Sequence, residues 1–404
     1  MVAAVKPWMP FENPLDDSLF DGDSDVDWVT GGYVYHGRHL GRFYEANPWV
    51  PEDVKAATRI VKTVDTYPLL CALMSWRSVT VGQLQAGLCN QQVPVFDWTA
   101  PSIYGGLLRL GLIDIGFPRS YRWGHVQPRD VFLRMSMGRG RVRRWLRLLG
   151  KPMWVAGLLS DSGERALHAY ARHNMFADHV GLTAIRDARV LCAAGDGWCA
   201  FRLLDGRARG ESGVALGATG DVLIVLKTGV CVVVEVQSSI AGVEEKVSRW
   251  ERFLQASPFA RRGIICVWLG IPSPREQGSY AHIGSVLTEH AADPLMLAGD
   301  VPLNRRMGYA RWDEWYEPDG LPAARWGVYR DATGMPMSVF DQRLGQAAPS
   351  PRPLDRVRNW GEGLVRAELE RVYQEPMLPY CRIPGKLAGG FQGLTMPVMD
   401  RSGQ

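Results

Sequence analysis

The sequence predicts an α+β protein of several domains, on three observations. Short amphipathic helices run from residue 51 and close on a β-hairpin. A helix–strand–strand–strand–helix–strand succession follows over residues 161–270. Charge is also segregated: seven acids and no Lys or Arg lie between Phe11 and Trp28, and seven bases and no acid between Arg134 and Lys151. With 404 residues, 46% of them hydrophobic, the chain can build two or three cores.

Five segments are expected. Residues 1–50 form an acidic N-terminal arm rich in Pro, Gly and aromatics, which packs locally through Trp28, Tyr33 and Tyr35. Residues 51–125 begin with Val54, Ala57, Ile60, Val61 and Val64 at helical spacing. A second helix spans 66–76, and Thr80 caps a short helix reaching Leu88. Thr99 caps a further helix through Leu110, Leu112–Ile115 is a strand, and Arg119–Trp123 is its return. Residues 126–160 read as a basic helical connector.

Residues 161–300 hold a long helix over 162–180, strands at Trp198–Leu204, Val222–Leu226 and Cys231–Val236, a helix over 243–256, and an all-apolar strand Gly263–Leu269. Residues 301–404 are aromatic and irregular, with a Pro-rich linker near 347–353 and one helix over 358–374.

The order helix, short helix, turn, helix, hairpin is that of a winged helix-turn-helix. The phrase Val79-Thr80-Val81-Gly82-Gln83-Leu84, with Leu107-Leu108-Arg109-Leu110-Gly111-Leu112-Ile113 after it, resembles that family's motif. In such a module one helix braces a second, whose exposed N-terminal half enters the major groove of DNA. The resemblance implies that Trp98, Thr99, Ser102 and Tyr104 face double-stranded DNA, with Arg109, Arg119 and Arg122 on its backbone. Leu107, Leu110, Leu112 and Ile113 would be core. From the connector, Arg139, Arg141, Arg143, Arg144 and Arg147 cannot all share one helix face, but four of them can border the groove. Winged helices also dock proteins, and the expected recognition helix carries a single Arg, so both readings stand.

In the second half, Asp221 opens one strand and Glu235-Val236-Gln237 closes the next. Strand alternation puts Glu235 and Gln237 on one face. This resembles the restriction-endonuclease-like fold, whose Asp and Glu-x-Lys hold Mg²⁺ and activate water against a phosphodiester. More narrowly, it resembles the replication-relaxation family of plasmids and integrative elements of high-GC Gram-positive bacteria. That pattern is a helical His, an Asp before an apolar strand, a Glu-x-Asp strand (where this chain has Gln237 for the Asp), then a Lys and an aromatic on the next helix. Here it falls on His168, Asp221, Glu235, Lys246 and Trp250, within about residues 55–270.

The resemblance assigns catalysis to Asp221, Glu235 and Gln237, metal binding to Asp221 and Glu235, and Mg²⁺ as cofactor if the site is active. Two departures weaken it: Gln237 stands where active nucleases have Lys, and Gly220 where a Pro precedes the Asp. Three readings stand side by side: catalysis, a non-catalytic nuclease-like fold, and an unrelated α/β domain. Glu164 reads as a first-turn helix acid rather than a further metal ligand. His173 and His179 read as ordinary polar residues.

The net charge of +4 does not by itself mark a nucleic-acid binder. Seven scattered cysteines, none at zinc-ligand spacing, read as reduced core thiols. A secretory leader is not expected, nor is an apolar run of membrane-spanning length, and the expected location is cytoplasmic. The leading expectation is a DNA-binding accessory protein of a mobile element. The alternative is an interaction protein that docks partners through its winged helix, its acidic arm and its C-terminal region.

Overall fold

The computed structural model describes residues 26–29, 48–64, 66–87, 99–118, 128–136, 139–148, 171–184, 187–195, 220–226, 230–256, 264–272, 279–291, 297–298 and 301–341. The class is mixed α+β, and the chain divides into two compact units, Met1–His179 and Val180–Gln404.

In the first unit, α1 (Val54–Val61) starts at Asp53, whose carboxylate accepts from the Ala56 amide at 2.6 Å. It buries Ala57 and Val61, while Val54 and Val64 stay exposed. After α2 (Tyr67–Trp76), strand β2 (Ser78–Thr80) leads into α3 (Val81–Gly87). The Thr80 hydroxyl accepts from the Gln83 amide at 3.1 Å, and Gln83 Oε1 accepts from the Thr80 amide at 3.0 Å. This reciprocal pair satisfies two donors at the helix start. The buried Gln83 side chain also donates to the Met175 carbonyl at 3.0 Å.

Helix α4 (Ile103–Arg109) is capped by Ser102, which accepts from the Gly105 amide at 3.1 Å. The expected cap, Thr99, is exposed outside the helix. Strand β3 (Ile113–Pro118) follows, and its hairpin partner is β4 (Phe132–Met135). The expected return, 119–123, lies outside the described residues. The segment 126–160 is therefore more than a helical connector, since it supplies β4 as well as α5 (Arg139–Leu148).

The arm contributes too. Strand β1 (Val26–Val29) pairs with β3, giving an antiparallel sheet of order β1-β3-β4-β2. Asp114 and Arg134 face each other across the β3–β4 ladder, with Nε 3.0 Å from Oδ2 and both side chains buried. The Arg134 guanidinium lies 3.9 Å over the Trp28 ring. Arg134 thus belongs to the core, not to a basic surface.

In the second unit, β5 (Val190–Gly195), β6 (Val222–Leu226) and β7 (Cys231–Gln237) form an antiparallel meander. Helix α7 (Val243–Ala256) then leads to β8 (Ile264–Gly270), parallel to β7. Helix α6 (Ala171–Ala184), which precedes the meander, crosses the division. Ala171–His179 belong to the first unit, where Ala171 and Met175 pack with Val26 and Phe132, and only its last turn belongs to the second. The expected strand 198–204 lies outside the described residues.

The sheet does not end near residue 300. After α8 (Ser279–Ala291) and the short pair β9 (Leu297–Ala298) and β10 (Val301–Pro302), strand β11 (Met307–Arg311) adds parallel to β8. The hairpin β12 (Val328–Asp331) and β13 (Pro336–Ser338) completes the order β13-β12-β11-β8-β7-β6-β5. The aromatic stretch is irregular in sequence because it is packing material. Trp312 and Trp315, on the single turn α9 (Trp312–Trp315), are buried with Tyr316 and Tyr329. Among the described residues no helix is long and apolar enough to cross a membrane.

Candidate functional site

Strands β6 and β7 bring Asp221 and Glu235 together. Asp221 lies just before β6, its amide donating to the Val234 carbonyl at 3.1 Å and its Oδ2 accepting from the Val236 amide at 2.8 Å. A Cβ at position 220 would collide with Val233, so glycine precedes Asp221 where the resembled pattern has proline. Glu235 projects from the same region of β7 and is 2% exposed.

Both Glu235 oxygens are occupied from α7. Lys246 Nζ donates to Oε2 at 2.9 Å, and Trp250 Nε1 donates to Oε1 at 2.8 Å. Lys246 and Trp250 stand four apart, on one face of the helix. Burial raises the Glu235 carboxyl above its ordinary range, Lys246 opposes the shift and the Asp221 charge adds to it. Burial works against the Lys246 ammonium, but Glu235 and Asp221 outweigh it and hold that lysine protonated above the usual range.

Gln237, two residues along, is buried as well. Its Nε2 donates to the Ser239 and Ala241 carbonyls, which leaves Oε1 without a hydrogen-bond partner among the described residues.

The oxygen ligands that Mg²⁺ prefers are present in kind but not in a receptive arrangement. Glu235 already receives a hydrogen bond at each oxygen, and one donor is a cation. Gln237 is locked by two carbonyls. Among the described residues no three His, Cys, Asp or Glu side chains gather as a metal group. As arranged, these residues do not fit Mg²⁺; they clamp β6, β7 and α7 to one another.

The residues expected to meet DNA fare differently. Tyr104 is 0% exposed and Ser102 is spent on the cap, so neither faces outward. The cause is local. A Cβ at Gly105 would collide with the Trp49 carbonyl, and one at Gly106 would press on Val61, so the two glycines let Trp49 and α1 lie directly on α4. Arg109 donates to the Glu52 carbonyl at 2.6 Å. Thr99 is exposed. On α5, Arg141, Arg144 and Arg147 are exposed while Val142 and Trp145 are buried. Arg139 and Arg143 lie on the same helix, with side chains outside the described set, and Arg119, Arg122, Glu164 and His168 fall outside the described residues altogether.

Lys246 and Trp250 are therefore the partners of the acid pair. Spacing alone would not have found them, since Glu235 and Trp250 are fifteen residues apart. Compared with protein-family models, with curated proteins and with solved structures, the chain matches none.

Proposed function

We propose that this chain is a DNA-binding accessory protein of a mobile element (a plasmid, integrative element or phage), acting in replication, transfer or their regulation. Its second unit is a nuclease-like scaffold that does not cut. The observation that carries the reading is the convergence of Asp221, Glu235, Lys246 and Trp250. These are four of the positions on which the resemblance to the replication-relaxation family rests, and they belong to a helix–strand–strand–strand–helix–strand order with β7 and β8 parallel. The first unit's order is compatible with a winged helix. Over all of Met1–His179 it carries twenty Lys or Arg against seventeen Asp or Glu, but the bases concentrate in residues 48–148, fourteen against six, and the acids in the N-terminal arm. That local surplus suits a polyanion.

The test has two arms. Wild-type protein should retain a labelled duplex at low salt and lose it steeply between about 50 and 200 mM. Incubated with plasmid and Mg²⁺ or Mn²⁺, it should leave the plasmid intact. Cleavage abolished by Asp221→Ala and by Glu235→Ala would replace the scaffold by an endonuclease. Affinity unmoved by salt would remove the DNA reading.

One observation favours a second function, protein docking: α4 is sealed by α1 and Trp49, so the helix expected to enter a groove is not presented. Co-purification of a defined protein partner, with no retention on heparin, would decide for it.

A further inference from the structure

The sealing of α4 raises the question of what the first unit shows in its place. Helix α1 turns Ala57 and Val61 inward onto α4. Its outward side carries Lys55, Arg59 and Lys62, all exposed. Spacings of four and three residues align these cations in one stripe. At about 1.5 Å rise per residue the stripe is about 10 Å long. A duplex strand presents a phosphate about every 3.4 Å along its axis, so three cations match a short run of one backbone.

We propose that this outer face of α1, not α4, is the duplex-binding surface of the first unit, reading the phosphate backbone rather than base edges. The inference rests on the DNA-binding reading above and names the surface that performs it.

Three features support this choice. None of the three cations makes a close ion pair with another described residue; Arg59 and Lys55 act on the Asp53 carboxylate only as a secondary influence behind its hydrogen bond from the Ala56 amide, and Lys62 stands apart from it. The nearby acids, Glu52 and Asp53, sit at the N-terminal end of the helix, and the Asp53 carboxylate is committed to the Ala56 amide. The same unit bears a second acid-free basic helix, α5, whose Arg141 packs against Gly111 at the end of α4. Charge complementarity therefore selects a polyanion, and the absence of a described aromatic or amide side chain on the stripe argues for backbone contact.

The experiment compares wild type with K55A/R59A/K62A, all at exposed sites, on a fluorescein-labelled duplex of about 30 base pairs across a salt series. The expected result is at least a tenfold loss of affinity at low salt, and a slope of log K against log salt shallower by about 2.7 for three lost phosphate contacts. The melting temperature should stay that of wild type. Equal affinity and slope in the two proteins, with wild type binding well, would overturn the stripe alone. If wild type does not bind the duplex at all, the DNA-binding reading fails and takes the stripe with it.

Discussion

Lys246 Nζ lies 2.9 Å from Glu235 Oε2, and this ion pair joins α7 to β7, the last strand of the meander. Glu235 is 2% exposed at its side chain and Lys246 30%, so the carboxylate depends on the lysine far more than the reverse.

Lys246→Met should therefore destabilise the second unit by about 2–3 kcal/mol, below the full cost of an orphaned buried charge because the lysine reaches water. Adding Glu235→Gln removes the charge left behind and should recover most of that loss. A double-mutant cycle in urea measures the coupling. Additive losses would mean that the two side chains act independently.

Asp114 and Arg134 form a drier pair. Arg134→Met alone leaves Asp114 buried without its cation, a loss of about 3–5 kcal/mol. The double variant Asp114→Leu with Arg134→Met should be far closer to wild type in chemical denaturation. Equal damage in the single and the double would locate the effect in packing under Trp28 instead.

Gly105→Ala tests the seal over α4. The added methyl collides with a backbone carbonyl, which cannot swing aside as a side-chain tip can. The expected loss is about 1–3 kcal/mol, read as a lower thermal midpoint. An unchanged midpoint would show that Trp49 does not lie on this helix.

Asp178, on α6, supplies a pH dependence. It is 1% exposed, its Oδ2 has no hydrogen-bond partner among the described residues, and burial pushes its carboxyl well above the ordinary range. The folded protein thus keeps a proton that the unfolded chain releases near pH 3.8. Stability is greatest below that pH and falls as pH rises through the folded value. Asp178→Asn removes this loss, so the variant should gain on wild type in unfolding measurements from about pH 4 to pH 8. A constant difference across the range would show that Asp178 does not titrate abnormally.

Much of the second unit was legible because its signals are local. Val222–Leu226 and Cys231–Gln237 are near-continuous apolar runs, as strands covered on both faces must be, and α7 declares itself through Val243, Val247, Trp250 and Leu254. Strand β4 was hidden by Arg134, which reads as a solvent residue until its partner twenty positions back is known. The seal over α4 was obscured for a similar reason. Gly105-Gly106 inside a helix signals close approach of another backbone, but nothing in sequence says which backbone. At the acid pair, the types and the strands were readable; that both Glu235 oxygens are already taken depends on how α7 lies over β7, a tertiary fact.

Strand β1 has a consequence for how the molecule tolerates shortening. Val26–Val29 hydrogen-bonds along the outer side of β3, from Ile115 to Pro118, and so covers what would otherwise be a bare row of amides and carbonyls. A chain trimmed to begin at residue 26 keeps that cover, whereas one beginning a few residues later, past Val29, presents β3 as a sticky template for another copy. The first should remain monodisperse in light scattering where the second self-associates.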